Sequence, residues 1–152
     1  DLITHALSTT PKTKGRLYAC KGPNECSILD DTYNSSPKAF EVAIDLLAEQ
    51  KAKTRVIVMG DMNDLGEASS VAHMNIGHYA KQHKIDYLFG IGKNSQITCK
   101  AFGKNAFWHL NQGSLIDQLF PLLSKDTSVL MKGSRNQKME RVLNQLMDTA
   151  SC

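Results

Sequence analysis

Short apolar runs alternate with amphipathic stretches from about residue 26 onward, and this alternation restricts the fold more than any other feature of the chain. A buried strand reads as a short continuous apolar run, and a crossover helix as apolar residues at three- and four-residue spacing. The two in alternation are the pattern of parallel β-α-β units. The runs predict strands near Ser27–Leu29, Arg55–Met59, Tyr87–Ile91, Ala106–Trp108 and Ser128–Met131. Helical spacing joins Phe40, Ala43, Ile44 and Leu47, then Leu115, Ile116, Leu119 and Leu123, then Met139, Val142, Leu143 and Leu146. The stretch from Glu67 to His83 is helical with Ala68, Val71, Ala72, Ile76, Tyr79 and Ala80 on its apolar side, and a weaker helical pattern covers Asn94–Phe102. The expectation is an α/β fold, a Rossmann-like, doubly wound and mostly parallel sheet with helices on both faces. Leu17–Cys20 is expected to add a strand at its edge.

A chain of 152 residues with 41% hydrophobic content suits one domain with its own core. The net charge of +3 is modest and the lysines are scattered, without a basic stripe interleaved with aromatics, so nucleic acid is not an expected partner. Cys20, Cys26, Cys99 and Cys152 form no C-x-x-C pair and show no zinc spacing, which fits a reduced, cytoplasmic setting. No apolar stretch has the length of a membrane span. The chain begins at Asp1 instead of methionine, and residues 1–15 read as a tail or interdomain linker, so a fragment of a longer protein is expected.

In open sheets of this kind, ligand-binding loops lie beyond the carboxyl ends of the strands, and four polar motifs fall there. The first is Asp30-Asp31-Thr32-Tyr33-Asn34-Ser35-Ser36-Pro37. A serine followed by proline is ordinary helix-start chemistry, and an Asx-type turn accounts for the rest structurally. In the functional reading, Asp31 accepts hydrogen bonds from a vicinal diol, Tyr33 offers a stacking face, and Asn34 pairs with a base edge or a phosphate. The second motif is Gly60-Asp61-Met62-Asn63-Asp64-Leu65-Gly66-Glu67, where the glycines permit a tight or left-handed backbone and Glu67 falls in the first turn of the next helix.

The third, Gly90-Ile91-Gly92-Lys93-Asn94-Ser95, resembles the end of a phosphate loop but fails the Walker pattern, which requires glycine where Tyr87 stands and Ser or Thr directly after Lys93. It reads as a strand-to-helix turn. The fourth is Lys132-Gly133-Ser134-Arg135, where Ser134 and Gln137 fit a capping box at the start of the last helix. Free amides at a helix start attract anions, and Lys132 and Arg135 would strengthen a site for a carboxylate. His73, His78 and His83 are five residues apart. Successive rings then turn by about 140° around a helix, which does not favour a shared metal.

The first motif, a Lys14-Gly15-Arg16-Leu17 element upstream of it, the Gly-Asp-Met loop and Lys132-Gly133-Ser134-Arg135 together resemble the C-terminal domain of the Mur ligase family over roughly residues 14–147. Within the family they are most similar to the enzymes that add D-alanyl-D-alanine to UDP-MurNAc-tripeptide in peptidoglycan synthesis. The departure is Asn63-Asp64, where the family's loop carries a glutamate before the leucine.

The resemblance implies that residues 16–152 form this C-terminal domain, and that the N-terminal UDP-binding domain and the central ATPase domain lie outside the chain. It implies ATP contacts from Arg16, Asp31, Tyr33 and Asn34, and D-alanyl-D-alanine contacts from Asp61, Lys132, Ser134 and Arg135. His73 would pack against the Gly-Asp-Met loop. The phosphate loop and Mg2+ site would belong to the central domain, so no catalytic or metal-binding residue is assigned here and the chain alone is expected to be inactive. A sister Mur or folylpolyglutamate ligase, and a non-catalytic nucleotide-sensing α/β domain, are the alternative readings. A purely structural interaction domain ranks third.

Overall fold

The structure, a computed structural model, describes residues 14–33 and 35–150, so Asn34 and almost all of the expected 1–15 tail lie outside the described residues. The apolar runs form strands β1 (Tyr18–Lys21), β2 (Ser27–Asp31), β3 (Thr54–Met59), β4 (Tyr87–Ile91), β5 (Ala106–His109) and β6 (Thr127–Lys132). They pair in the order β1-β2-β6-β3-β4-β5. Every pairing is parallel except β1 with β2, which is antiparallel and places β1 at the edge, as expected from Leu17–Cys20.

Helices α1 (Pro37–Glu49), α2 (Ser69–Gln82), α3 (Ser95–Phe102), α4 (Gln112–Leu119) and α5 (Glu140–Ala150) cover the sheet. Side chains alternate between the faces of a strand, and the core divides accordingly. Val56, Val58, Val129 and Met131 pack with Leu115, Leu119, Val142 and Leu146 of α4 and α5. Ile57, Met59 and Leu130 pack with Phe40, Ile44, Ile76 and Phe102 of α1, α2 and α3. Two buried faces explain why the strands read as continuous apolar runs. Ser36 caps α1, its side chain accepting from the Ala39 amide at 3.2 Å, with Pro37 at the first helical position.

Strand β6 lies between β2 and β3, and its register sets Lys132 beside Asp31 on one side and Met59 on the other. The loops after β2, β3 and β6 are therefore neighbours. Pairing continues past the strands: the Gly60 amide donates to the Lys132 carbonyl and the Ser134 amide to the Asp61 carbonyl, both at 2.9 Å. Two glycines permit this approach. A Cβ on Gly133 would meet Met139 at 2.6 Å and the Gly60 backbone at 3.2 Å, and one on Gly60 would meet the Met139 sulfur at 2.8 Å. At Gly60 the requirement is space, not a left-handed backbone; Gly66, with φ +55°, supplies that conformation.

Two expectations are corrected. Ala68 and Val71, expected on the apolar side of the Glu67–His83 helix, are exposed, because the inward line of α2 runs through His73, Ile76, Gly77 and Ala80 and leaves them outside it. The other concerns the start of the last helix. Residues Arg135–Gln137 form a single 3-10 turn, Lys138 is left-handed, and α5 begins only at Glu140. Ser134 makes no side-chain cap bond there, so the capping box does not form. Its hydroxyl is drawn away by a stronger local demand, described below.

Helices α2 and α3 touch at Gly77, where a Cβ would meet the Thr98 carbonyl oxygen at 2.5 Å. Alanine exceeds glycine in helix propensity by about 1 kcal/mol, whereas overpacking costs about 1–3 kcal/mol. Gly77→Ala is expected to destabilise the domain by about 1–2 kcal/mol in urea denaturation, against its propensity. Desolvation pushes the Cys26 thiol up to about 11 and the Cys99 thiol up to about 12. Thiolate is the reactive form, so both cysteines are expected to resist a thiol reagent at neutral pH and to label only on unfolding, as read by mass spectrometry.

Candidate functional site

The carboxyl end of β2 delivers two consecutive aspartates, which strand alternation sends to opposite faces. Asp30 faces the α5 side. Its Oδ1 accepts from the Thr32 hydroxyl at 2.6 Å, and its Oδ2 accepts from the Gly15 amide at 3.1 Å. Asp31 faces the α1 side. Its Oδ1 accepts from the Leu17 amide at 3.2 Å, and its Oδ2 accepts from the Lys132 ammonium at 2.5 Å. The Tyr33 amide donates in turn to the Gly15 carbonyl at 2.8 Å. The Lys14–Leu17 segment is thus strapped across the end of β2 by both carboxylates.

Above this strap Tyr33 is 43% exposed. The Arg16 guanidinium carbon lies 4.2 Å from its ring centroid and that of Arg135 lies 5.5 Å away. Arg16, Tyr33 and Arg135, predicted from three separate motifs, therefore meet at one place. Two cavities open beside them. One, of about 630 Å³, lies on the α5 side and includes Tyr18, Asp30, Tyr33, Arg135 and Glu140. The other, of about 390 Å³, lies on the α1 side and includes Arg16, Asp31, Tyr33, Ser36 and Lys132.

The four residues expected to bind a dipeptide differ sharply in what they are free to do. The Asp61 carboxylate accepts from the Asn94 amide at 3.0 Å, the Ser95 amide at 2.7 Å and the Ser95 hydroxyl at 2.8 Å. It caps α3 from a distant loop, and Asn94, the residue in the cap position, makes no side-chain cap bond. Gly92, with φ +107°, makes room, since a Cβ there would lie 2.7 Å from Asp61 Oδ1. The Ser134 hydroxyl accepts from the Asn63 amide at 2.7 Å and donates to the Ser35 carbonyl at 3.4 Å, tying the three loops together.

The Lys132 side chain is 2% exposed, against 12% for its partner Asp31. Removing one member of a buried pair costs about 3–5 kcal/mol, so Lys132 is not free to swing toward a ligand carboxylate. Arg135 is different: its side chain is 61% exposed and pairs with Glu140 at 3.2 Å. An exposed pair is worth only about 0.2–1 kcal/mol, and a ligand carboxylate can displace it. Of the four, Arg135 alone combines exposure with an exchangeable partner.

His73 is fully buried and packs against the Gly-Asp-Met loop, as the resemblance implied. Its Nε2 accepts from the Met62 amide at 3.0 Å, and Nδ1 lies 2.8 Å from the Ser69 carbonyl, an arrangement that fits a neutral ring carrying its proton on Nδ1. Sequence reasoning missed Asp30 and Gln137. The Gln137 side-chain oxygen accepts from the Asp61 amide at 3.1 Å. For Asp30, the signal available was strand alternation, which requires two adjacent carboxylates at a strand end to serve different faces. Among the described residues, no group of three or more His, Cys, Asp or Glu side chains is placed to hold a metal ion. No helix among them is long and apolar enough to cross a membrane.

A family model described as the Mur ligase, glutamate ligase domain matches residues 15–135. The chain belongs to this family. Its curated relatives include the UDP-N-acetylmuramoyl-tripeptide D-alanyl-D-alanine ligase of Escherichia coli, 32% identical over all of this chain and 34% of the relative. The ligase of the same name from Buchnera aphidicola is 38% identical over 95% of this chain and 32% of its own length. Among solved structures, the MurF ligase of Thermotoga maritima in complex with ADP superposes with a TM-score of 0.81 at 26% identity, covering 97% of this chain and 34% of that one. The chain thus spans about a third of the length of the relatives it matches, and as a Mur ligase domain it corresponds to the C-terminal domain of MurF-like enzymes.

Asp61 carries a structural load, since its carboxylate satisfies three donors in a buried setting. Asp61→Ala would leave two backbone amides and a hydroxyl unpaired, and is expected to lower stability by about 2–4 kcal/mol in chemical denaturation. Asp61→Asn, which keeps acceptor capacity, should lose less.

Proposed function

We propose that this chain is the C-terminal domain of an ATP-dependent ligase that joins D-alanyl-D-alanine to UDP-MurNAc-tripeptide in cytoplasmic peptidoglycan synthesis. The observation that carries the reading is the meeting of Arg16, Tyr33 and Arg135 beside Asp31 at the carboxyl end of β2, in a domain related to ligases of that name. The residues present fit a nucleotide. Two of the roughly four lone-pair sites of an ionised carboxylate are used at Asp31, which leaves acceptors for a ribose diol. Tyr33 supplies a partly exposed ring, and Arg16 a guanidinium that suits phosphate oxygens.

ATP would transfer its terminal phosphoryl group to the tripeptide carboxylate and leave as ADP; the amine of D-alanyl-D-alanine would then attack the acyl carbon, lose a proton and expel phosphate to give the lengthened peptide. This domain's part is to bind and place. Arg135 exchanges Glu140 for the dipeptide carboxylate. Ser134 and Asp61 act by holding the loops on which Arg135 sits. Arg16 leaves the Tyr33 ring for the phosphates, and the vacated face takes the base. Asn34 adds a contact at the base edge or a phosphate. The phosphate loop and Mg2+ belong to a central domain of the complete enzyme, and the UDP moiety to an N-terminal one. Closure of the three domains would exclude water and align the amine, contributions of positioning and gating.

The test is an amide-shift titration of this chain by NMR, with ATP and D-alanyl-D-alanine added separately. ATP is expected to move signals of Arg16 and of Asp31 to Tyr33, and the dipeptide those around Arg135, both with weak affinity. Tight ATP binding without any dipeptide response would instead favour a nucleotide-sensing domain. A response to glutamate or diaminopimelate in place of the dipeptide would assign a sister ligase.

A further inference from the structure

We propose that Lys132 is a positioning residue of the nucleotide subsite, holding the Asp31 carboxylate in the orientation that receives a ribose diol. The inference rests on the nucleotide reading of Asp31 given above, and it moves Lys132 from the dipeptide side of the site to the ATP side. Three observations carry it. First, Asp31 and Lys132 are register partners on adjacent parallel strands, so their side chains leave the sheet on the same face and meet whatever the surrounding loops do. Second, Lys132 takes Oδ2 at 2.5 Å while the Leu17 amide takes Oδ1 at 3.2 Å. One donor on each oxygen restrains the carboxylate plane and leaves further acceptor sites on a group that lines the same cavity as Arg16 and Tyr33.

Third, Lys132 is covered by Phe40, whose ring centroid lies 5.9 Å from its ammonium, and is nearly inaccessible. A side chain so enclosed acts on a ligand chiefly by holding Asp31. The exposed cation Arg135, by contrast, lines the cavity on the α5 side, while Asp31 and Lys132 line the one on the α1 side. A buried ion pair of this kind is a poor device for stability, because well-packed apolar residues often serve as well. Its position beside an open cavity at the end of the central strands gives it a second use, in which a fixed orientation limits what a ligand must order on binding.

A double-mutant cycle on this chain tests the assignment, with ATP and D-alanyl-D-alanine affinities read from NMR titrations and folding checked by thermal denaturation. Lys132→Met is expected to weaken ATP by about tenfold and to leave the dipeptide response at Arg135 within about twofold. Lys132→Arg should restore part of the loss. In an Asp31→Asn background, Lys132→Met should cause no further loss of ATP affinity, because it acts through Asp31. Should the single Lys132→Met variant fail to fold, the double variant, which buries no unpaired charge, and Lys132→Arg carry the comparison. Equal losses in both backgrounds would overturn the proposal by showing a direct contact between Lys132 and the nucleotide. Loss of the dipeptide response with ATP binding retained would overturn it in favour of a carboxylate ligand. Absence of any ATP response at Asp31 to Tyr33 in the unsubstituted chain would sink the nucleotide reading itself, and the inference with it.

Discussion

The insertion of β6 between β2 and β3 is the constraint on which the rest of the domain depends. Every residue of β6 is buried, and both of its edges are hydrogen-bonded to parallel neighbours. Because the three strands are adjacent and in register, their carboxyl-terminal loops must share one small region. Gly60 and Gly133 let those loops approach within backbone contact, and Met139 closes over both. Ser134 then needs only one hydroxyl to connect three segments that are distant in the chain. The candidate site is the exposed rim of this arrangement.

The charges around that rim form a hierarchy set by burial. Asp31 with Lys132 is enclosed and expensive to separate, whereas Arg135 with Glu140 is solvated and easily exchanged. Asp30 and Asp31 divide their labour through strand alternation, one anchoring Gly15 and the other facing Lys132. A single strand end therefore secures the incoming chain and orients a carboxylate at the same time. Tyr33, reached by guanidinium groups from two other segments, is where the fixed and exchangeable parts adjoin.

Hydrophobic period made the sheet and its helices legible, because strands buried on both faces and amphipathic helices are set by local pattern. Even the short helix α3, marked by a weak pattern, forms where Asn94–Phe102 indicated. What could not be read were the partners of polar groups that meet only after folding. Ser134 and Gln137 have the spacing of a capping box, yet each side chain finds a competing donor, Asn63 for one and Asp61 for the other, from a loop about 70 residues earlier. The resemblance implied a ligand contact for Asp61, but the partners of its carboxylate lie at the start of α3, more than 30 residues later. Lys132 presented the same difficulty: a lysine in a polar motif reads as exposed until its register partner is known to be Asp31. Of the residues that the family motifs pointed to, Arg16, Asp31, Tyr33, Lys132 and Arg135 meet at this rim, and tertiary hydrogen bonding decided which of them face outward.

The order of the strands also bears on how the domain is made. The central strand is the last to be synthesised, so β2 and β3 each present an unpaired edge to solvent for as long as the chain stops short of residue 127. Open, apolar strand edges are templates for pairing with other chains, and nascent domains are most exposed to such misassembly before their non-local contacts close. A ribosome that stalls shortly before residue 127 would therefore release not a slightly shortened protein but a sheet with a slot down its middle, open to any strand that fits.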